Sequence, residues 1–164
     1  MPKVKDGLPR WQDMGLPNIR YPETHMMRAA IQEVEASDSH EGAIAILEHH
    51  IGISEHKQEV SLDTPLWPLT IKRDNLPHIV EKRKDARERY VTMAIDTIKH
   101  PYEIWVAPYD DGLERYKFLG LYQQKYQMLV VVAPWDGRVL WNFMQTDLKS
   151  LNNHRCGKHL FVRP

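Results

Sequence analysis

The stretch HIVEKRKDARERY, His78–Tyr90, decides how the rest of the chain must fold. Plotted at about 100° per residue, Leu76, Ile79, Val80, Ala86, Tyr90 and Ala94 gather into one apolar stripe. Arg83 falls in the middle of that stripe and Arg87 close beside it. Burying an unpaired guanidinium is costly, so each arginine must meet a carboxylate, reach solvent through a cleft, or await an anionic ligand. An internal ion pair, for instance with Glu103 or Glu114, satisfies the first demand, and stems running past the edge of the stripe satisfy the second. The third follows from the match between the planar guanidinium and phosphate oxygens. A cleft between this helix and the surface it covers is therefore the first candidate site.

The surface it covers lies downstream. The helix is expected to start near Asn75, a capping residue with Pro77 in the first turn, and to run to about Lys99, where Pro101 forbids continuation. Beyond Pro101 the runs YEIWVA, RYKFLGLY, MLVVVA and RVLWNFMQT are β-branched and aromatic, separated by PYDDG, QQKYQ and PWDG. The DDG and DG dipeptides favour tight turns, so three successive hairpins and a four-stranded antiparallel meander are expected. Upstream, Pro2, Pro9, Pro17 and Pro22 with Gly7 and Gly15 mark residues 1–23 as an extended arm. THMMRAAIQEVEA (24–36) and HEGAIAILEHHIG (40–52) have helical spacing, the first capped by Thr24 and the second ending near Gly52. The expectation is an α+β fold: N-terminal helices, then a four-stranded antiparallel sheet. It divides into an arm with a helical segment (1–67) and a helix-plus-sheet core (68–164).

Composition limits the function classes. The 164 residues suffice for one domain with a real core, and the 42% hydrophobic and 27% charged content is that of a soluble globular protein. No apolar run approaches the roughly 18 to 20 residues needed to span a bilayer, and the first residues carry no signal core. The single cysteine, Cys156, rules out an internal disulfide framework and favours a reducing compartment. Net charge is zero, but residues 1–67 hold 6 Lys and Arg against 11 Asp and Glu, whereas residues 68–164 hold 16 against 11. A polyanion would be met by the second half. HRCGKH offers only His154, Cys156 and His159 as metal ligands, and His49, His50 and His56 lie around a helix end, so no metal site and no cofactor are expected.

LPRWQDMGLP near the N-terminus, HIVEKRKDARERYVTMAIDTIKHPYEIW in the middle and LWNFM near the end resemble the C-terminal domain of phage Mu F-like head-morphogenesis proteins. That domain is classed with the barnase–EndoU–colicin–RelE-like nucleases of phage and polymorphic toxin systems. The order helix, HPYEIW, hairpins, LWNF carries the likeness. It implies a metal-independent ribonuclease that acts as a toxin or phage-delivered effector in the bacterial cytoplasm, or is carried on a virion before delivery. RNA, with tRNA among the candidates, is the implied partner, together with a cognate immunity protein; no membrane partner is implied. The alternative is a noncatalytic head-associated module that binds nucleic acid or protein.

Such cleavage needs a base for the 2′-hydroxyl, cations for the phosphorane and an acid for the 5′-oxygen, and it leaves 2′,3′-cyclic phosphate and 5′-hydroxyl ends. His78 is the expected acid or base because imidazole titrates near neutral pH. Arg83 and Arg87 are the expected phosphate ligands. Arg115 and Lys117 share one face of their strand, with Tyr116, Phe118 and Tyr122 on the other. Lys117 and Tyr116 thus compete for a role, depending on which face meets the helix. Thr146 completes the catalytic candidates, because relatives often carry a hydroxyl late in the last strand. Lys82, Tyr116, Tyr122, Asn142 and Lys158 are the candidate substrate contacts, the last from a basic tail able to hold RNA backbone.

Overall fold

The helix expected over 75–99 is broken in the middle. The computed structural model describes residues 2–135 and 137–164, and over this stretch it has a one-turn helix, Leu76–Ile79, and a longer one, Val91–Lys99, introduced by a 3-10 turn at Arg87–Tyr90. Between them Ala86 adopts a left-handed conformation, φ 42° and ψ 55°. The reason is chemical: from Glu81 to Arg89 every position but Ala86 is charged. A continuous helix would press that whole run onto the core, whereas breaking it buries the apolar Leu76, Ile79 and Val80 before the gap and Tyr90, Val91 and Ala94 after it, and of the charged run only Arg87 and Glu88.

Among the described residues there are four α-helices: α1 (His40–Ile51), α2 (Leu76–Ile79), α3 (Val91–Lys99) and α4 (Leu148–Asn153). The Ser39 side chain caps α1 by accepting from the Gly42 amide at 3.0 Å, and Gly52, at φ 86°, ends it as expected. The helix expected over 24–36 does not form. Thr24–Met26 is a 3-10 turn, and the Arg28 amide bonds the Leu121 carbonyl, drawing this segment along the sheet instead. Helices are also not confined to the N-terminal part, since α4 follows the last hairpin with Asp147 as its cap.

The expected four strands are present: β3 (Glu103–Pro108), β4 (Glu114–Gly120), β5 (Gln127–Ala133) and β6 (Val139–Thr146), joined as an antiparallel meander by three hairpins. Asp136 of the expected DG turn lies outside the described residues. The sheet is wider than four strands, and mixed. A hairpin of β1 (Glu59–Leu62) and β2 (Leu69–Lys72) joins one edge, with β2 parallel to β6, and β7 (Lys158–Val162) pairs antiparallel with β3 at the other. The order is β1-β2-β6-β5-β4-β3-β7. These extra strands are short and cover what would otherwise be bare edges of the meander.

Alternation along the strands divides the interior in two. On one face Ile104, Phe118, Val130, Val132 and Phe143 pack under α1, α2 and α3. On the other, Trp105, Leu119, Leu129 and Val131 pack under Ile19 of the arm, Met26 of the 3-10 turn that follows it, and Leu151 of α4. The N-terminal arm is thus part of the fold: Ile19 is fully buried, and the Trp11 amide bonds the Arg155 carbonyl.

Candidate functional site

The cleft between the long helix and the sheet is closed by packing, which overturns the first expectation about where the site lies. A cavity with polar groups around an apolar floor lies on the opposite face. It has a volume of about 480 Å³ and a floor of Leu129, Val131 and Met144. Its polar walls include His78, Arg115, Asn142 and His154, with Trp141 and Tyr109 as aromatic walls and Lys3 on the arm.

Two local devices build it. β2 meets β6 at a single register pair, Thr70 with Val139. Past that point Asn75 replaces the strand, its Nδ2 donating to the carbonyls of Leu140 (2.7 Å) and Trp141 (3.0 Å). Asn75 therefore does not cap a helix with its side chain; it satisfies the bare edge of β6 and lets α2 wrap round that edge. The second device is a β-bulge. Val131 pairs with Asn142 and Val132 with Leu140, leaving Trp141 as an extra residue. Bulges re-aim side chains, and here Trp141 and Asn142 both line the cavity. His78, carried over the edge by α2, packs against Trp141 in a tilted contact with ring centroids 4.9 Å apart. Its Nδ1 lies 3.5 Å from Glu81.

The two arginines of the opening stretch part company. Arg83 is held by Glu88, which is fully buried, through bonds of 2.8 and 2.6 Å, and it also donates to the Ser37 and Val80 carbonyls. Burial pushes the Glu88 carboxyl up, but the Arg83 guanidinium and backbone amides outweigh it, so the group titrates below the ordinary range. Arg87, 8% exposed, reaches the sheet: its Nη1 donates to Asn142 Oδ1 at 2.9 Å, and Asp85 lies 3.4 Å from Nη2.

Lys117 shares the cavity side of β4 but is fully buried beneath it, donating to the His154 carbonyl and lying 3.4 Å from Cys156 Sγ. Burial lowers its pKa. Burial, aided by the Lys117 charge, also pushes the His154 imidazole down to about 4, so His154 is neutral at pH 7. Arg115 forms a two-bond pair with Asp111 and lies over the Tyr109 ring at 4.6 Å. Burial pushes the Tyr109 hydroxyl up to about 12.

The remaining candidates lie elsewhere. Tyr122 is fully buried on the helix face, where its hydroxyl bonds Asp96 and Thr97. Tyr116 meets Trp67 edge-on and joins Lys158 in a separate groove of about 630 Å³ lined mainly by apolar residues such as Leu8 and Val106. Thr146 ends β6 opposite Gln127, away from the cavity lining. Lys82 is exposed in the turn that follows α2. Sequence reasoning passed over Arg115 and weighed His154 only as a metal ligand. The signal for Arg115 was present in its alternation with Lys117; nothing local marked His154, which reaches the cavity because α4 folds back across β5. Among the described residues no group of three or more His, Cys, Asp and Glu is placed to hold a metal ion. No helix among them is long and apolar enough to cross a membrane.

A sheet sealed by helices on one face, with a donor-lined cavity holding two imidazoles on the other, is the frame of a nuclease-like α+β domain. The chain belongs to the phage-Barnase-EndoU-ColicinE5/D-RelE like nuclease2 family, whose model matches residues 47–162, from within α1 to the end of β7. That span includes every cavity residue named above except Lys3. No curated protein and no solved structure matches the chain at a significant level.

Proposed function

We propose that the protein is a metal-independent endoribonuclease, with RNA cleaved to 2′,3′-cyclic phosphate and 5′-hydroxyl ends. The observation that supports this most is the pairing of His78 and His154 in one cavity with Arg115 and Asn142. His154, neutral at pH 7, accepts the 2′-hydroxyl proton; His78 protonates the departing 5′-oxygen; and N–H donors meet the phosphorane charge. The cations are Arg115 and Lys3, and Lys82, exposed in the turn after α2, would meet flanking backbone. Arg83 and Lys117 act through other groups. Arg83 holds the turn after α2 together with Glu88, and Lys117 holds the backbone of His154. Thr146, Tyr122, Tyr116 and Lys158 stand outside this assignment.

In this reading the enzyme is a toxin or phage-delivered effector, in the setting of Mu F-like head proteins. It acts on RNA such as tRNA in a bacterial cytoplasm and is restrained by an immunity protein. One observation favours the alternative of a noncatalytic head-associated binding module: Arg83 and Arg115 are both held by carboxylates, which leaves few cations free for phosphate. The test is incubation of purified protein with tRNA, ribosomal RNA and DNA, with and without EDTA, followed by analysis of the ends. Cyclic-phosphate fragments from RNA alone, unaffected by EDTA, are expected, and both His78→Ala and His154→Ala should abolish them. RNA left intact across these substrates would replace the enzyme reading with the binding module.

A further inference from the structure

The side-chain amide of Asn142 is held in one orientation. Its Oδ1 accepts two hydrogen bonds, from Arg87 Nη1 at 2.9 Å and from the Phe143 backbone amide at 2.8 Å. Both partners are donors only, so the oxygen must face them and Nδ2 must face away. Asn142 is 6% exposed and lines the cavity. Nδ2 has no acceptor among the described residues, yet it is not sealed from solvent as the Nε atoms of Arg83 and Arg87 are. A buried amide with its oxygen doubly occupied and its nitrogen open is a fixed donor aimed at a ligand.

What it meets follows from its neighbours. Asn142 pairs across the ladder with Val131, and Val131 belongs to the apolar floor with Leu129 and Met144. Trp141, beside it, packs against His78 and lies 5.4 Å from Trp135 in edge contact. The apolar floor walled by an indole suits a nucleobase, beside the phosphate that Arg115 and Lys3 would meet. The lining contains no carboxylate. An exocyclic carbonyl set against Asn142 Nδ2 would be satisfied, whereas an exocyclic amino group in the same place would oppose one donor to another.

We propose that Asn142 is the specificity-determining residue of this cavity, that its Nδ2 reads the exocyclic oxygen at purine C6 or pyrimidine C4, and that the site therefore prefers guanine and uracil, which carry a carbonyl there, over adenine and cytosine, which carry an amino group. This rests on the ribonuclease reading above and names the base at its cleavage point. Arg87 is the positioning residue: it touches the amide oxygen and sets which end of the amide meets the ligand.

The experiment measures dissociation constants of the four 3′-nucleoside monophosphates for the intact protein and for Asn142→Asp. The wild-type protein should bind 3′-GMP or 3′-UMP at least about tenfold more tightly than 3′-AMP and 3′-CMP, the effect of one satisfied against one unsatisfied hydrogen bond. In Asn142→Asp the second oxygen replaces Nδ2 while Arg87 and the Phe143 amide keep their acceptor. All four affinities should fall through charge repulsion, and the order should reverse toward the amino bases. Arg87→Lys, which can still donate to Oδ1, should keep the wild-type order, and Arg87→Met, which leaves only the Phe143 amide on Oδ1, should narrow the preference while remaining folded by circular dichroism. Equal affinities in the wild type, a preference for amino bases, or an unchanged order in Asn142→Asp would overturn the inference while leaving the nuclease reading intact. No binding of any nucleotide by the wild type would remove this cavity as the nuclease site, and the inference with it.

Discussion

Arg83 and Glu88 stand five positions apart and close a ring over the gap in the helix. The Glu88 side chain is fully buried, and that of Arg83 is 28% exposed. Removing the arginine leaves a carboxylate out of water with only the Ser37 amide, at 3.1 Å, and its own backbone to stabilise it. Breaking a buried pair from one side typically costs about 3–5 kcal/mol, and the partial exposure of Arg83 places this pair toward the lower end. Arg83→Ala should therefore lower the denaturant midpoint strongly, and any cleavage should fall only in proportion to the unfolded fraction. Arg83→Ala combined with Glu88→Gln should recover much of the loss, because the stranded charge is gone. A single variant of wild-type stability would show that the pair contributes nothing. The same residue scale shows what sequence could and could not say: that Arg83 needed a partner followed from its place in an apolar stripe, but the partner was not among the two acids considered.

At the scale of the element, the break in the helix turns on one backbone conformation. Ala86 sits at φ 42°, in a region that costs an L-residue about 1–2 kcal/mol relative to a right-handed conformation. Glycine reaches it without the Cβ contact, at a cost in unfolded-state entropy of roughly 0.5–1 kcal/mol. Ala86→Gly should thus leave stability unchanged or raise it by up to about 1.5 kcal/mol, seen as a small upward shift in melting temperature. If the stretch instead continued as one helix, the same change would destabilise by about 1 kcal/mol, as glycine does in any helix interior. The element scale also explains the misreading of 75–99. Periodicity registers which positions are apolar; it does not register that α2 must turn off the sheet edge, where Asn75 has taken over the bonding of β6. By contrast, the meander from β3 to β6 was legible because tight-turn dipeptides and β-branched runs are both local signals.

For the whole molecule, the buried bases and paired acids set a pH dependence of stability. His154 titrates at about 4 in the fold, against about 6.5 when unfolded. Above pH 6.5 it is neutral in both states and has no effect. Between pH 6.5 and 4 the unfolded chain takes up a proton that the folded chain refuses, so stability falls by up to about 1.4 kcal/mol per pH unit, about 3 kcal/mol in all. Glu88, Asp111 and Asp147, whose pKa values are lowered, add their losses only at lower pH, as the carboxylates take up protons. Denaturant unfolding across pH 4–8 should show stability falling from about pH 6.5 downward, and His154→Gln should flatten the curve between 6.5 and 4. A wild-type curve flat over that window would show that His154 protonates freely in the folded protein.

The sequence by itself determined the pieces with local causes: α1 between Ser39 and Gly52, the three hairpins, the alternation that sets Arg115 and Lys117 against Tyr116 and Phe118, and the demand that two arginines find partners. Those follow from capping, turn chemistry and side-chain period, which act over a few residues. Tertiary structure alone decided that the sheet has seven strands, that the arm covers its second face, and that the cavity lies there rather than beneath α3. The physical reason is that β1–β2, β7 and α4 gain their stability from edges and faces supplied by distant segments. His78, Asn142 and His154 likewise share a cavity only because an edge wrap, a bulge and a returning helix converge across the sheet.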